Sequence, residues 1–128
     1  MKIDVTTDFT SVGLSVPEWY WERGLHDAVI TRKEEVVVEN IVDGFYCSNY
    51  TVLYINASTA LFETSIKTIR FYNCKELSNP DDNDIEGWIW KTDTLSFNGR
   101  KYLLEIVLQN GMNKKVYSIR FSKCDVQK

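Results

Sequence analysis

The chain has 128 residues, a length that predicts one domain over residues 1–128 with its own core. Hydrophobic residues make up 44% and charged residues 26%, which excludes a largely disordered chain. The net charge is −3 and no block of basic residues is present. We therefore expect neither nucleic acid nor an anionic membrane as the main partner.

The first residues and the cysteines indicate a soluble, cytoplasmic protein. Residues 1–5 carry an acid at position 4 and lack the apolar stretch of a secretory signal. No run approaches the roughly 18 apolar residues of a membrane span. Cys47, Cys74 and Cys124 are odd in number and widely spaced, which favours reduced thiols over a disulfide framework or a zinc site.

Two elements are predicted at the start of the chain. Residues 2–9 alternate apolar and polar, the period of a strand with one buried face. Ser15 then stands three residues before Glu18, the spacing of a capping box, and Pro17 suits a first helical turn. With Gly24 as the C-terminal cap, this pattern predicts a short helix over residues 16–23.

The remaining chain is typical of strands and turns. Apolar or β-branched runs predict strands at 28–31, 36–38, 50–55, 66–72 and 87–91. Polar residues 32–35 are interpreted as the turn between the first two of these strands. Asn98-Gly99 and Asn110-Gly111 predict hairpin turns that join residues 94–97, 101–108 and 115–121 into a meander.

These elements define the expected fold class. About eight mostly antiparallel strands and one short helix near residues 16–23 predict a mainly β, or β-dominated α+β, domain. A sandwich and a partly open barrel are both compatible with the pattern. Seven Tyr, six Phe and four Trp agree with this expectation, because aromatic residues favour pleated, half-buried surfaces.

One pattern occurs twice. Residues 66–74 and 116–124 share the form h-x-[ST]-I-R-F-x-x-C, where h is apolar. The repeat is compatible with an internal duplication. Two strands that face the same core and carry similar residues for that reason are favoured, because the turns between the paired strands differ in length.

Residues 82–93 resemble the twelve-residue calcium loop of EF-hands. The acids at loop positions 1, 3, 5 and 12 are Asp82, Asp84, Glu86 and Asp93. The glycine at position 6 is Gly87. Position 12 is the shorter Asp rather than Glu, Pro80 stands where the incoming helix would end, and the outgoing segment is predicted as strand. A solvated acidic turn is therefore favoured, and we predict no metal and no cofactor.

No catalytic residue is predicted. His26 is the only histidine, and its neighbour Asp27 would point to the opposite face of a strand. A cysteine partner for His26 has no local support. No nucleophile elbow, phosphate-binding loop or metalloprotease motif is present.

The tryptophans form two W-x-W pairs. Trp88 and Trp90 would share one face of a strand, where core packing is favoured over an exposed aromatic platform. Trp19 and Trp21 would diverge by about 200° on a helix, so at least one of them is expected near the surface unless the helix is wedged between elements.

The composition and the missing motifs favour a non-enzymatic binding or regulatory module that acts through protein–protein contacts. The alternatives are a small-ligand or carbohydrate-binding β domain that uses aromatic stacking, and a small enzyme. Formation of a homo-oligomer is also open. Glu34, Glu35, Lys114 and Lys115 are charges of the kind that protect sheet edges.

Overall fold

The computed structural model describes residues 3–4, 17, 19–21, 25–40, 46–61 and 63–128 and shows a nearly all-β fold. Nine strands pair in one antiparallel sheet, and the only helical element of the described residues is a 3₁₀ turn at Pro80–Asn83. The strands are β1 Ile3–Asp4, β2 Ala28–Asn40, β3 Tyr46–Asn56, β4 Thr68–Tyr72, β5 Lys75–Glu76, β6 Ile89–Phe97, β7 Tyr102–Asn110, β8 Asn113–Phe121 and β9 Lys123–Gln127. The predicted mainly β, antiparallel fold class is confirmed.

The sheet curls around the core without closing into a barrel. Its order is β5-β8-β7-β6-β2-β3-β4-β9, with β1 beside β6, and the two end strands β5 and β9 do not pair. The chain itself links the ends, since β5 follows β4 and β9 follows β8. β4 and β5 are separated by a short break, and so are β8 and β9. The cross-strand pairs Tyr72–Lys123 and Lys75–Arg120 belong to the same register, which therefore continues across both breaks. A single curled sheet corresponds to the partly open barrel rather than to the sandwich.

The predicted meander is formed by β6, β7 and β8. The β7–β8 turn consists of Gly111 and Met112, one residue later than the predicted Asn110-Gly111. Gly111 has φ +61°, and Met112 is not left-handed, which matches a type II′ hairpin with glycine first. The β6–β7 connection at Asn98 is longer than the predicted two-residue turn and spans residues 98–101.

The predicted turn at residues 32–35 is wrong, because these residues lie inside β2. β2 runs through them after a register shift just before Arg32. In a strand, residues two apart share a face, so the charges pair along β2 instead of turning the chain. Arg32 contacts Glu34 at 2.7 Å and Lys33 contacts Glu35 at 3.4 Å.

The helix predicted over residues 16–23 is not seen at the positions of that range that the structure describes, 17 and 19–21. The backbone N–H of Tyr20 donates to the carbonyl of Pro17 at 2.9 Å, which closes a single turn. Trp19, Tyr20 and Trp21 all pack against the core. A helix would spread three consecutive side chains over about 200°, so tertiary packing favours the turn over the helix.

The core lies inside the curl of the sheet. Its largest fully buried side chains are Trp90, Tyr117, Phe71 and Phe121, surrounded by Ile and Leu from most strands. Phe71 and Phe121 come from the two copies of the repeated pattern, and their ring centroids lie 4.8 Å apart. The repeated residues therefore share one core, as the second interpretation of the repeat requires.

Candidate functional site

The outer face of β2, β3, β4 and β9 carries three tyrosines and three cations side by side. This tyrosine–arginine face consists of Tyr50, Tyr54, Tyr72, Arg32, Arg70 and Lys123. Cross-strand pairing sets their places, because Tyr72 lies opposite both Tyr50 and Lys123. Directly opposed residues of neighbouring strands share a face, so the register alone groups these side chains.

The cations lie over the tyrosine rings. The Arg70 Cζ atom is 4.6 Å from the centroid of the Tyr50 ring and 6.0 Å from that of Tyr72. Lys123 Nζ lies 5.4 Å from the Tyr72 centroid, and Arg32 Cζ lies 5.3 Å from the centroid of Tyr54. These are cation–π distances, which hold the rings in fixed orientations at half-buried positions.

Val52 forms an apolar floor beneath these side chains. It points outward, since its neighbours Thr51 and Leu53 face the core, and it lies opposite Arg70 in the register. Nevertheless only 3% of Val52 is exposed. An outward residue of this kind is buried because the surrounding aromatic and arginine side chains cover it, so the face is a packed surface and not a set of isolated side chains.

Part of the positive charge on this face is not neutralised. Arg32 is paired with Glu34 at 2.7 Å. Asp125 lies opposite Arg70 in the pairing of β4 with β9, but within the described part of the chain no carboxylate lies within 4 Å of the Arg70 or Lys123 cation. The hydrogen bond with Tyr72 raises the pKa of Arg70 further above its usual value, so Arg70 is a permanent cation.

Sequence reasoning did not single out these residues. Their signal is a period of two: Tyr50 and Tyr54 flank Val52, and Arg70 precedes Tyr72 by two positions. Period two shows which residues share a face, but it does not show that β3 and β4 are neighbours. The grouping therefore appears only with the strand pairing.

A second polar cluster, the carboxyl cluster, lies on the opposite face of β2 and consists of Lys33, Glu35, Glu76 and Tyr117. Lys33 Nζ donates to a carboxylate oxygen of Glu76 at 2.7 Å and to the carbonyl of Asn83 at 2.6 Å. The hydroxyl of Tyr117 donates to the same Glu76 oxygen. Burial raises the pKa of Glu76, whereas a hydrogen bond from Glu76 lowers the pKa of Glu35.

In this carboxyl cluster the pKa values of the two acids are shifted apart, that of Glu76 upward and that of Glu35 downward. Such a pair has the form of an acid and a base. However, the polar atoms of Lys33 and Tyr117 are bonded within the fold, and no buried polar side-chain atom of the described residues lacks a partner. The cluster therefore joins β2, β5 and β8, a structural role.

The structure does not join His26 and Asp27 in a dyad. Asp27 adopts φ +67° in a turn, and its carboxylate pairs with Lys91 at 2.6 Å. Cys74 contacts the hydroxyl of Thr51 at 3.3 Å. Burial raises the pKa of the Cys74 and Cys124 thiols, which makes both poor nucleophiles. The absence of catalytic residues stays a prediction.

The acids of residues 82–93 do not converge on one point. The Glu86 carboxylate accepts the backbone N–H of Lys33 at 3.0 Å, and the Asp93 carboxylate accepts the indole N–H of Trp90 at 2.9 Å. Asp84 is exposed. In the described chain, no three His, Cys, Asp or Glu side chains are placed to hold a metal ion.

The four tryptophans are buried or half-buried. Trp90 is fully buried and Trp21 is 3% exposed, whereas Trp19 and Trp88 are half-buried against the core. Core packing is confirmed for Trp90. Trp88 is partly covered by Lys115, whose Nζ atom lies 4.1 Å from the ring centroid. The aromatic platform is therefore formed by tyrosines and not by tryptophans.

Comparison with known proteins identified no relative. No family model, no curated protein and no solved structure matches this chain. Over the described residues, no helix is long and apolar enough to cross a membrane.

Proposed function

We propose that this chain is a non-enzymatic binding module that takes a protein partner on the tyrosine–arginine face. The observation that carries the proposal is the set of half-buried tyrosine rings held by cations over the buried floor of Val52. Tyrosine and arginine are enriched at protein interfaces because they bury large area at low entropic cost.

The partner is expected to present carboxylates. The three cations of this face outnumber the carboxylates of Glu34 and Asp125 that lie on the same face, on a protein whose net charge is −3. A partner carboxylate would bind Arg70 in the forked geometry that guanidinium groups favour. We also place the protein in the reducing cytoplasm, a proposal that the free, buried thiols of Cys74 and Cys124 support.

A pair of matched arginine variants tests this function. Arg70 and Arg120 hold the same position in the repeated I-R-F pattern. Arg70 lies among the tyrosines, whereas Arg120 is exposed on β8. We expect the wild type and Arg120→Ala to capture the same stoichiometric partner from host lysate, and Arg70→Ala to lose it at least tenfold while it remains folded.

Two outcomes would contradict the proposal. One is that the wild type captures no stoichiometric protein in low or high salt. The other is that Arg70→Ala and Arg120→Ala retain the partner equally. Binding that weakens as salt is raised is the further expectation for an acidic partner, because salt screens exposed charges.

A further inference from the structure

Among the residues that the structure describes, one edge of β2 has few partners. It pairs with β3 along almost its whole length, but with β6 only at Ala28 and Val29. Beyond that point, the Glu86 carboxylate accepts the Lys33 N–H, on the side away from β3. From Glu35 onward, no described residue pairs with this side of β2. Backbone groups alternate along an antiparallel strand, so those of residues 35, 37 and 39 point to the open edge.

Two of the charges that would protect this edge have partners within β2. Glu34 is paired with Arg32 at 2.7 Å, and Glu35 contacts Lys33 at 3.4 Å. The following stretch, residues 36–38, is Val-Val-Val, and 67% of Val37 is exposed. A β-branched, uncharged edge strand is a template for pairing with another strand.

The charge pattern of β2 is compatible with a second copy of the same strand in the register centred on Val36. A two-fold axis at Glu35 would place Glu35 against its own copy, and an axis at Val37 would place Glu35 against Glu39. An axis at Val36 instead places Glu35 against Val37, so no like charges are opposed there. Residues 35 and 37 exchange the central hydrogen bonds, and the pairing stops before Lys33, whose N–H stays on Glu86.

We propose that the chain forms a two-fold symmetric dimer in which β2 strands of two copies pair antiparallel, with Val36 opposite Val36. An axis perpendicular to the sheet keeps the same face of both copies on one side. The dimer therefore joins two tyrosine–arginine faces into one surface. The dimer itself does not depend on the proposed partner and is tested without it.

Site-specific cross-linking tests the register. In this dimer the Val36 residues of the two copies form a non-hydrogen-bonded pair. Their Cα atoms lie about 4.5 Å apart, which is within the range of a disulfide. In the same register, the two Val37 residues are diagonal neighbours, with Cα atoms about 8 Å apart and beyond that range. Under mild oxidation we expect Val36→Cys to give mainly covalent dimer, and Val37→Cys to give no more than the wild type.

Val37→Pro tests the edge in the unmodified fold. The Val37 N–H points to the open edge, so proline there removes a dimer hydrogen bond and keeps the pairing with β3. By sedimentation velocity, we expect the wild type to be dimeric at tens of micromolar and Val37→Pro to be monomeric, with similar thermal stability. A monomeric wild type would overturn the dimer, and equal cross-linking of Val36→Cys and Val37→Cys would overturn the register.

Discussion

Asp93 is the residue that holds the N-terminal aromatic segment on the sheet. Its two carboxylate oxygens accept hydrogen bonds from the Tyr20 hydroxyl at 2.6 Å and from the indole N–H groups of Trp21 and Trp90 at 3.2 and 2.9 Å. Burial and the nearby Asp93 charge raise the pKa of Tyr20, so its hydroxyl stays a donor. One carboxylate thereby satisfies three aromatic donors at the border of the core.

Asp93→Asn should destabilise the fold because an amide has only one acceptor oxygen and places an N–H group among donors. Hydrogen bonds to charged groups contribute about 1.5–3 kcal/mol each, so we expect a loss of about 3 kcal/mol in the free energy of unfolding. Urea denaturation followed by tryptophan fluorescence measures it. Asp81→Asn, at an exposed site in the 3₁₀ turn, is the control and should change stability by less than about 0.5 kcal/mol.

Glu76 makes stability depend on pH. Burial raises its folded-state pKa above the ordinary value of 4.5, so the folded protein holds this proton more tightly than the unfolded chain does. The resulting stabilisation is fully present below pH about 4.5 and is lost as the pH rises through the raised pKa. Glu35, whose pKa is lowered, contributes stability above pH about 4.5 that is lost in acid.

Glu76→Gln mimics the protonated side chain, since its amide oxygen can accept from Lys33 and Tyr117. The wild type loses the contribution of the Glu76 proton as the pH rises, whereas the variant has no such proton to lose. We therefore expect the stability difference, wild type minus variant, to fall between pH 4 and pH 8. Urea denaturation at several pH values measures this difference, and a constant or rising difference would contradict the assignment.

At the scale of elements, the interrupted strands follow from the repeated F-x-x-C spacing. Phe71 and Cys74 are three residues apart, yet both are buried, as are Phe121 and Cys124. Regular alternation would place residues three apart on opposite faces, so each strand needs one extra residue. The interruption between β4 and β5 contains Asn73 at φ +49°, and β8 is interrupted at Ser122.

Asn73 substitutions test the interruption of β4. Asn tolerates the left-handed region, Gly adopts it freely, and a β-branched residue is strained there. We expect Asn73→Gly to be close to neutral and Asn73→Val to cost about 1–2 kcal/mol, although the site is exposed. Thermal and urea unfolding of the two variants give the comparison. Equal stability of Gly and Val at this site would refute the role of backbone strain.

The sequence predicted some elements and missed others for physical reasons. The meander is local, and its alternating strands and the approximate places of its turns are readable without tertiary information, although the turns themselves are Gly111-Met112 and residues 98–101. The helix at 16–23 satisfies every local rule for capping, yet packing against Trp90 and Phe121 overrides it. The turn at 32–35 was predicted from polarity alone, whereas its charges pair along a strand.

At the scale of the whole molecule, the candidate site depends on strand order, which local patterns do not determine. β2 pairs with β3 but also meets β6, about 60 residues later, and β4 pairs with β9, about 50 residues later. The tyrosine–arginine face requires the second of these distant pairings to bring Lys123 beside Tyr72. The alternation of residues along a strand shows which face of that strand each residue occupies. Only the fold shows which strands are neighbours.

The pairing of β4 with β9 has a consequence for synthesis on the ribosome. β3 and β4 emerge early, but β9 is the last described strand to be translated, roughly 50 residues later. At about 5–20 residues per second, the outer edge of β4 waits about 3–10 seconds for its partner. During that interval the apolar side chains of Ile69 and Phe71 lack part of their core, so the nascent chain is most prone to aggregation while β6 to β9 are being made.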